Sequence, residues 1–194
     1  MKTRMLSGGI VMLASVLVPP VLSFGQQADV AEFKNNLAPY VVAPEQAVDK
    51  MLSMANLKSG EVLYDLGCGN GRILITAAQK YKVKAVGIEI SRHLAQSAAE
   101  NVKKAGLQDQ VKVIHGDFMR TDLSEANVVT LYLATTANDT LRPNLERFLR
   151  PATRVVSYDY PIPGWKPVDT AATTSRHGFT HMIYLYQVPE SMKK

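Results

Sequence analysis

The chain holds one cysteine and four histidines in 194 residues. A lone Cys68 excludes an intramolecular disulfide, and neither it nor His93, His115, His177 and His181 make a set with metal-ligand spacing. Charge of one sign is also scarce. The net charge is +5, and Lys2 and Arg4 of the extreme N-terminus account for two of it, leaving 20 basic against 17 acidic residues. That balance is too mild to point to nucleic acid, and no nucleic-acid partner is expected. Internal repeats, low-complexity tracts and a second-domain boundary are absent, so one domain with a sizeable core is expected. With 46% apolar and 20% charged residues, neither a disordered chain nor a fibre fits.

One long apolar run stands out. In "MKTRMLSGGIVMLASVLVPPVLSFGQQ", Lys2 and Arg4 precede an uncharged, mostly apolar stretch from Met5 to Phe24. Ser23 and Gly25 place small residues before a cut after Gly25, the layout of a secretory signal peptide. The alternative is an uncleaved membrane anchor, since about 18–20 apolar residues just span a bilayer, although Pro19 and Pro20 sit awkwardly there. Both readings send the rest of the chain across the membrane, to an exported or membrane-anchored location. Residues 1–25 are then signal or anchor, 26–43 an N-terminal segment, and 44–190 the folded domain.

From residue 41 onward, strands and helices alternate. "APEQAVDKMLSMANL" starts a helix at Pro44, with Val48, Met51, Leu52 and Ala55 at helical spacing. "EVLYDL" (61–66), "KAVGIEI" (84–90), "QVKVIHGDF", "ANVVTLYL" (126–133) and "TRVVSYDY" (153–160) read as strands buried on both faces. "RILITAAQKY" reads as a helix beginning near Asn70, "SRHLAQSAAENVKKAG" as one capped by Ser91 and closed by Gly106, and "NDTLRPNLERFLR" as one entered at Asn138. The tail suggests an antiparallel hairpin turning at "SRHG". The expected fold is a doubly wound α/β sheet of seven strands, mostly parallel, closed by that hairpin. Ligands of such sheets bind beyond the carboxyl ends of the strands.

"YDLGCGNGRI" (64–73) lies at that position after the first strand. Three glycines, Gly67, Gly69 and Gly71, weaken any element they interrupt, so a ligand must come close to the backbone. A dinucleotide loop would read G-x-G-x-x-G, but here the third glycine comes one residue early and Arg72 takes its place. A phosphate loop would bring Lys and Ser or Thr after its last glycine, and neither is present. Asp65 precedes the loop, where it can accept hydrogen bonds from an ammonium group.

D-x-G-x-G-x-G is the loop of class I S-adenosylmethionine-dependent methyltransferases, and this sequence resembles them. The resemblance makes S-adenosylmethionine the expected cofactor. It assigns Asp65, Gly67, Cys68, Gly69 and Gly71 to the cofactor loop, and Glu89, at the end of the second strand, to the ribose hydroxyls. It sets Asp117 of "HGDF" against the adenine amino group, with Phe118 as a flat surface for the purine. Cys68 is read as a small filler of the loop rather than a nucleophile. The helix after the loop points its N–H groups at the cofactor's carboxylate.

A narrower resemblance lies outside the loop. "PYVVAPEQAVDKML", "VVTLYL", "LRPNLERFLRPATRVVS" and "GWKP" are similar to a bacterial and mitochondrial family that includes the lysine methyltransferase of the ATP synthase c subunit. It spans about residues 38–188. This chain departs from the family with Ala134-Thr135-Thr136 after "LYL", Ser157-Tyr158 after the fifth strand's valines, and Asn70 in the loop. The resemblance implies transfer of a methyl group to a protein lysine; membrane association through the apolar N-terminus and a monomer are also expected. O- or N-methylation of a small metabolite and a cofactor-binding module without catalysis remain open alternatives. Because a lysine amine must lose its proton before it attacks, carboxylates and Tyr hydroxyls are expected around it. Tyr40, Tyr132 and Asp159 fall where the carboxyl-end cleft should be and are the catalytic candidates.

Overall fold

Seven strands make one sheet in the order β3-β2-β1-β4-β5-β7-β6 in the computed structural model, which describes residues 40–175 and 178–192. The strands are β1 (Val62–Leu66), β2 (Lys84–Glu89), β3 (Val111–His115), β4 (Val128–Leu131), β5 (Arg154–Tyr158), β6 (Asp169–Thr174) and β7 (Thr180–Gln187). The first five pair in parallel, and β7 runs antiparallel to both β5 and β6. The chain turns outward from β1 in both directions, so the switch point lies between β1 and β4, where the glycine loop begins. The expected hairpin is the β6–β7 pair; Arg176 and His177 of its turn, like the signal or anchor of residues 1–25, lie outside the described residues.

Alternate side chains of each strand enter opposite cores. Leu63, Val128, Val156 and Ile183 join the core made by α1 (Glu45–Met54), α2 (Arg72–Tyr81) and α3 (Arg92–Lys104). Tyr64, Leu66, Val129, Leu131, Val155 and Tyr186 join the core on the other face, with α4 (Thr135–Phe148) and Trp165. Both faces are thus covered, which explains why the strand sequences show so little polar alternation.

One helix start falls at the first residue of the segment read as helix, and one differs from the sequence reading. The helix after the loop begins at Arg72, because Gly71 holds a left-handed φ of 80° as its N-cap and the Asn70 side chain accepts the Arg72 N–H at 3.3 Å. The helix α4 begins three residues before Asn138. Asn138 looked like a cap, but it is fully buried, and its side-chain amide donates to the carbonyls of Tyr160 (2.9 Å) and Pro161 (3.3 Å). Ser91 caps α3 as expected, its hydroxyl accepting the Leu94 N–H. Among the described residues no helix is long and apolar enough to cross a membrane.

Candidate active site

A cleft of about 290 Å³ opens at the carboxyl ends of β1, β2 and β4. Its floor is the glycine loop. The N–H groups of Gly67 and Cys68 both donate to the carbonyl of Ile88, which ties the loop to the end of β2. Glu89, only 6% exposed, completes the tie with both carboxylate oxygens. One accepts the Gly69 N–H and the other the Ser91 N–H, each at 2.8 Å. Glu89 therefore shapes the loop as well as facing the cleft. A methyl group on Gly69 would come within 2.5 Å of the Tyr40 ring, so only glycine lets Tyr40 lie on the loop. Gly71 does not line the cleft; it lets the loop pack on Ala98 of α3.

Asp65 lies at the cleft, 2% exposed, and accepts a hydrogen bond from the Thr130 hydroxyl at 2.8 Å. Burial raises its pKa to about 7; the Thr130 bond works against that rise and the charge of Glu89 adds to it. Cys68 points its sulfur at Gly87 of β2, where a side chain would collide with it. Burial pushes the thiol far up, with Asp65 and Glu89 adding to it, so Cys68 stays protonated and fills space.

Apart from Asn70, Arg72 and Ser91, the remaining walls are apolar or aromatic. Phe118, Ile90 and Leu94 stand on the β2–β3 side, Leu133 and Tyr132 on the β4 side, and Tyr40 to Ala43 along the mouth. Arg72 donates to the Ala43 carbonyl at 3.2 Å and so fastens that N-terminal strap to the start of α2. Asp117 stands next to Phe118 but outside the lining; one carboxylate oxygen accepts the Met119 N–H at 2.8 Å and caps the short 3₁₀ turn that sets Phe118 in place.

Beyond Tyr132 is a second constellation. Its ring lies edge-on to Tyr158 (4.7 Å between centroids) and stacks with Tyr160 (6.4 Å). Burial raises the Tyr132 hydroxyl to about 12, helped by the charge of the nearby Asp159 carboxylate. Asp159 in turn pairs with His181 of β7, Nδ1 lying 2.9 and 2.8 Å from its two oxygens. Of the three catalytic candidates, Tyr40 and Tyr132 line the cleft, and Asp159 stands behind Tyr132. Sequence reading missed His181, Tyr158 and Tyr160. The signal for His181 was its place at the start of an antiparallel final strand, which brings it to the carboxyl rim of β5.

Buried carboxylates on β1 and β2, a backbone cradle that a side chain would fill, and an apolar wall fit a ligand with an amino-acid end and a nucleoside end. The family model described as the ANTKMT methyltransferase domain matches residues 65–169, more than half of the chain and most of the cleft lining. The chain belongs to this family. It is an S-adenosylmethionine-dependent methyltransferase by fold, loop and family. A protein-lysine N-methyltransferase of Saccharolobus islandicus is 42% identical over 153 residues, 78% of this chain and 94% of that protein. A lysine N-methyltransferase of the ATP synthase c subunit, from Xenopus laevis, is 29% identical over 157 residues, 77% of this chain and 69% of that one. Among solved structures, an RNA methyltransferase from Salinibacter ruber in complex with S-adenosyl-L-homocysteine is 42% identical, with a TM-score of 0.73 over 79% of this chain and 97% of that one.

Proposed function

We propose that this methyltransferase acts on the side-chain amine of a protein lysine. The observation that carries the reading is the rim beside the cleft. Tyr132 on the cleft wall and the exposed Tyr160 present aromatic rings near the Asp159 carboxylate, with the buried Tyr158 packed behind Tyr132, a setting that attracts an ammonium group by cation–π and charge interactions. The names of the Saccharolobus and Xenopus relatives support it. An open cleft suits a side chain protruding from a large partner.

The chain's own residues divide the work. Asp65 receives the donor's amino group, Glu89 its ribose hydroxyls, and Phe118 with Ile90 and Leu94 its purine, while Asp117 fixes the turn that carries Phe118. When bound, S-adenosylmethionine supplies an electrophilic methyl group. The Tyr40 ring lies on the loop at the mouth and keeps water from the reacting end. The Tyr132 hydroxyl and Asp159 orient the incoming amine.

Residues 1–25 support an exported protein, cleaved after Gly25 or anchored to the membrane, working as a monomer on a partner at or near the membrane. Mass spectrometry of the N-terminus from cells separates cleavage from anchoring, and sedimentation checks the monomer.

The test of the acceptor is transfer of labelled methyl groups from S-adenosylmethionine by the full chain into the proteome, membrane fraction and RNA of its own cells. Methyllysine in tryptic peptides is the expected product. Label confined to RNA, the acceptor for which the Salinibacter relative is named, or confined to small metabolites, overturns the lysine reading.

A further inference from the structure

Resting on the lysine reading above, we propose that His181, held by Asp159, is the group that takes the proton from the acceptor ammonium. The pairing β5–β7 sets Tyr158 opposite Ile183, so the first residues of β7 reach the carboxyl rim of β5, and the Asp159 N–H donates to the Met182 carbonyl at 2.7 Å. Both oxygens of Asp159 face Nδ1 of His181. A carboxylate only accepts, so Nδ1 carries the ring's proton and the lone pair of the neutral imidazole is left on Nε2. The ring stacks on Tyr158, with 5.5 Å between centroids, which fixes its plane.

The backbone at Asp159 is unusual in the same place. Its φ is +64°, and the Tyr160 N–H donates to the Tyr158 carbonyl at 2.8 Å, a three-residue turn that a side-chain-bearing residue rarely adopts. The turn is held from several sides. The Ser157 hydroxyl donates to the Tyr160 carbonyl at 2.5 Å, and the Asn138 amide donates to the same carbonyl and to that of Pro161. Strained residues fixed by so many neighbours gather at functional sites. Here the strain aims the carboxylate at His181 on one side and at the Tyr132 hydroxyl, on the cleft wall, on the other.

In the step, an N–H bond of the bound ammonium breaks and its proton forms a bond with Nε2, directly or through one water. The electron pair stays on nitrogen for the bond to the methyl group. The imidazolium is stabilised by the Asp159 carboxylate. Because the His181 side chain remains 27% exposed, it returns the proton to solvent before the next turnover.

Two variants test this. His181→Asn keeps an amide donor for Asp159 but has no basic nitrogen, and His181→Ala leaves room for imidazole from solution. Methyllysine formation is expected to fall roughly 100-fold in kcat in both, with KM for S-adenosylmethionine unchanged, and added imidazole is expected to restore His181→Ala but not His181→Asn. Turnover of His181→Asn within twofold of the unaltered enzyme, or a loss in His181→Ala that imidazole does not relieve, overturns the role. Should His181→Ala fail to fold, the His181→Asn comparison decides. The unaltered enzyme separates the two readings: if it forms no methyllysine the lysine acceptor falls, whereas methyllysine made equally by His181→Asn removes only the part given to His181.

Discussion

On the donor side of the site, backbone is held by carboxylates; on the acceptor side, side chain is held by side chain. The glycine loop, Glu89 and Ser91 form a unit of short hydrogen bonds within about one βαβ turn of the chain. The rim of Tyr132, Tyr158, Asp159, Tyr160 and His181 draws on three strands and on Asn138 of a helix. A backbone cradle is indifferent to most side-chain changes, so it serves one ligand unaltered. A rim of side chains can be re-cut one residue at a time to fit a different acceptor.

Substitutions on the two sides should therefore break different constants. The largest effect is expected from Asp159→Asn, which removes the carboxylate shared by Tyr132 and His181. Turnover should fall roughly 100-fold or more, the range for a lost acid–base group, while calorimetry shows S-adenosylmethionine binding unchanged. An equal loss in both quantities would merge the two sides into one.

Glu89→Ala reverses the pattern. It leaves the N–H groups of Gly69 and Ser91 without their acceptor and removes the carboxylate proposed to meet the donor's ribose. Binding should weaken by about 1–3 kcal/mol, the usual penalty for polar groups left unpaired. An unchanged dissociation constant would take Glu89 out of the donor side.

The third effect is on pH. Asp65 has a pKa of about 7 in the ligand-free protein, raised chiefly by burial, so below that value it is mostly neutral. Binding a cationic amino group needs the carboxylate, so affinity should rise up to about tenfold per pH unit toward pH 7 and then level. The ligand-free fold behaves in the opposite sense. A raised carboxyl pKa means that the native state binds more protons than the unfolded chain between the ordinary 3.8 and about 7. Its contribution to thermal stability declines as pH climbs through that window. Asp65→Asn should flatten both profiles, and a pH-independent affinity in the unaltered protein would exclude Asp65 as the partner of the amino group.

The smallest effect straddles the two sides. Tyr40→Phe keeps the ring on Gly69 and removes the hydroxyl proposed to accept a hydrogen bond from the incoming amine, worth about 1 kcal/mol, so turnover should drop several-fold with affinity intact. Tyr40→Ala should lower both, because the ring also covers the loop. Identical turnover of the Phe variant and the unaltered enzyme would free the hydroxyl from any part in the reaction.

The same contrast explains what was legible in the sequence. Asp65, the three glycines, Glu89 and Phe118 sit at strand ends or in a loop whose spacing is local, so reading the strands was enough to gather them. The sheet, its hairpin and the cap at Ser91 followed from the same local patterns. His181 and Asp159 are 22 residues apart, and their contact depends on the β5–β7 register, which no short motif encodes. The left-handed turn at Asp159 was hidden as well, since nothing in "SYDYPIP" announces it. Asn138 misled for a related reason. A residue type that favours helix caps was recruited instead by carbonyls 22 and 23 positions downstream.

The place of β7 in the sheet has a consequence for synthesis. Every residue that lines the donor cleft precedes position 134, whereas β6 touches the sheet only through β7, which leaves the ribosome after the other six strands of the sheet. A nascent chain that has emerged as far as residue 175 thus holds the whole lining of the cleft, with β6 still waiting for its neighbour. Residues 180–187 then enter between β5 and β6 and bring His181 to Asp159, so the whole lining of the cleft is made before His181 reaches its partner.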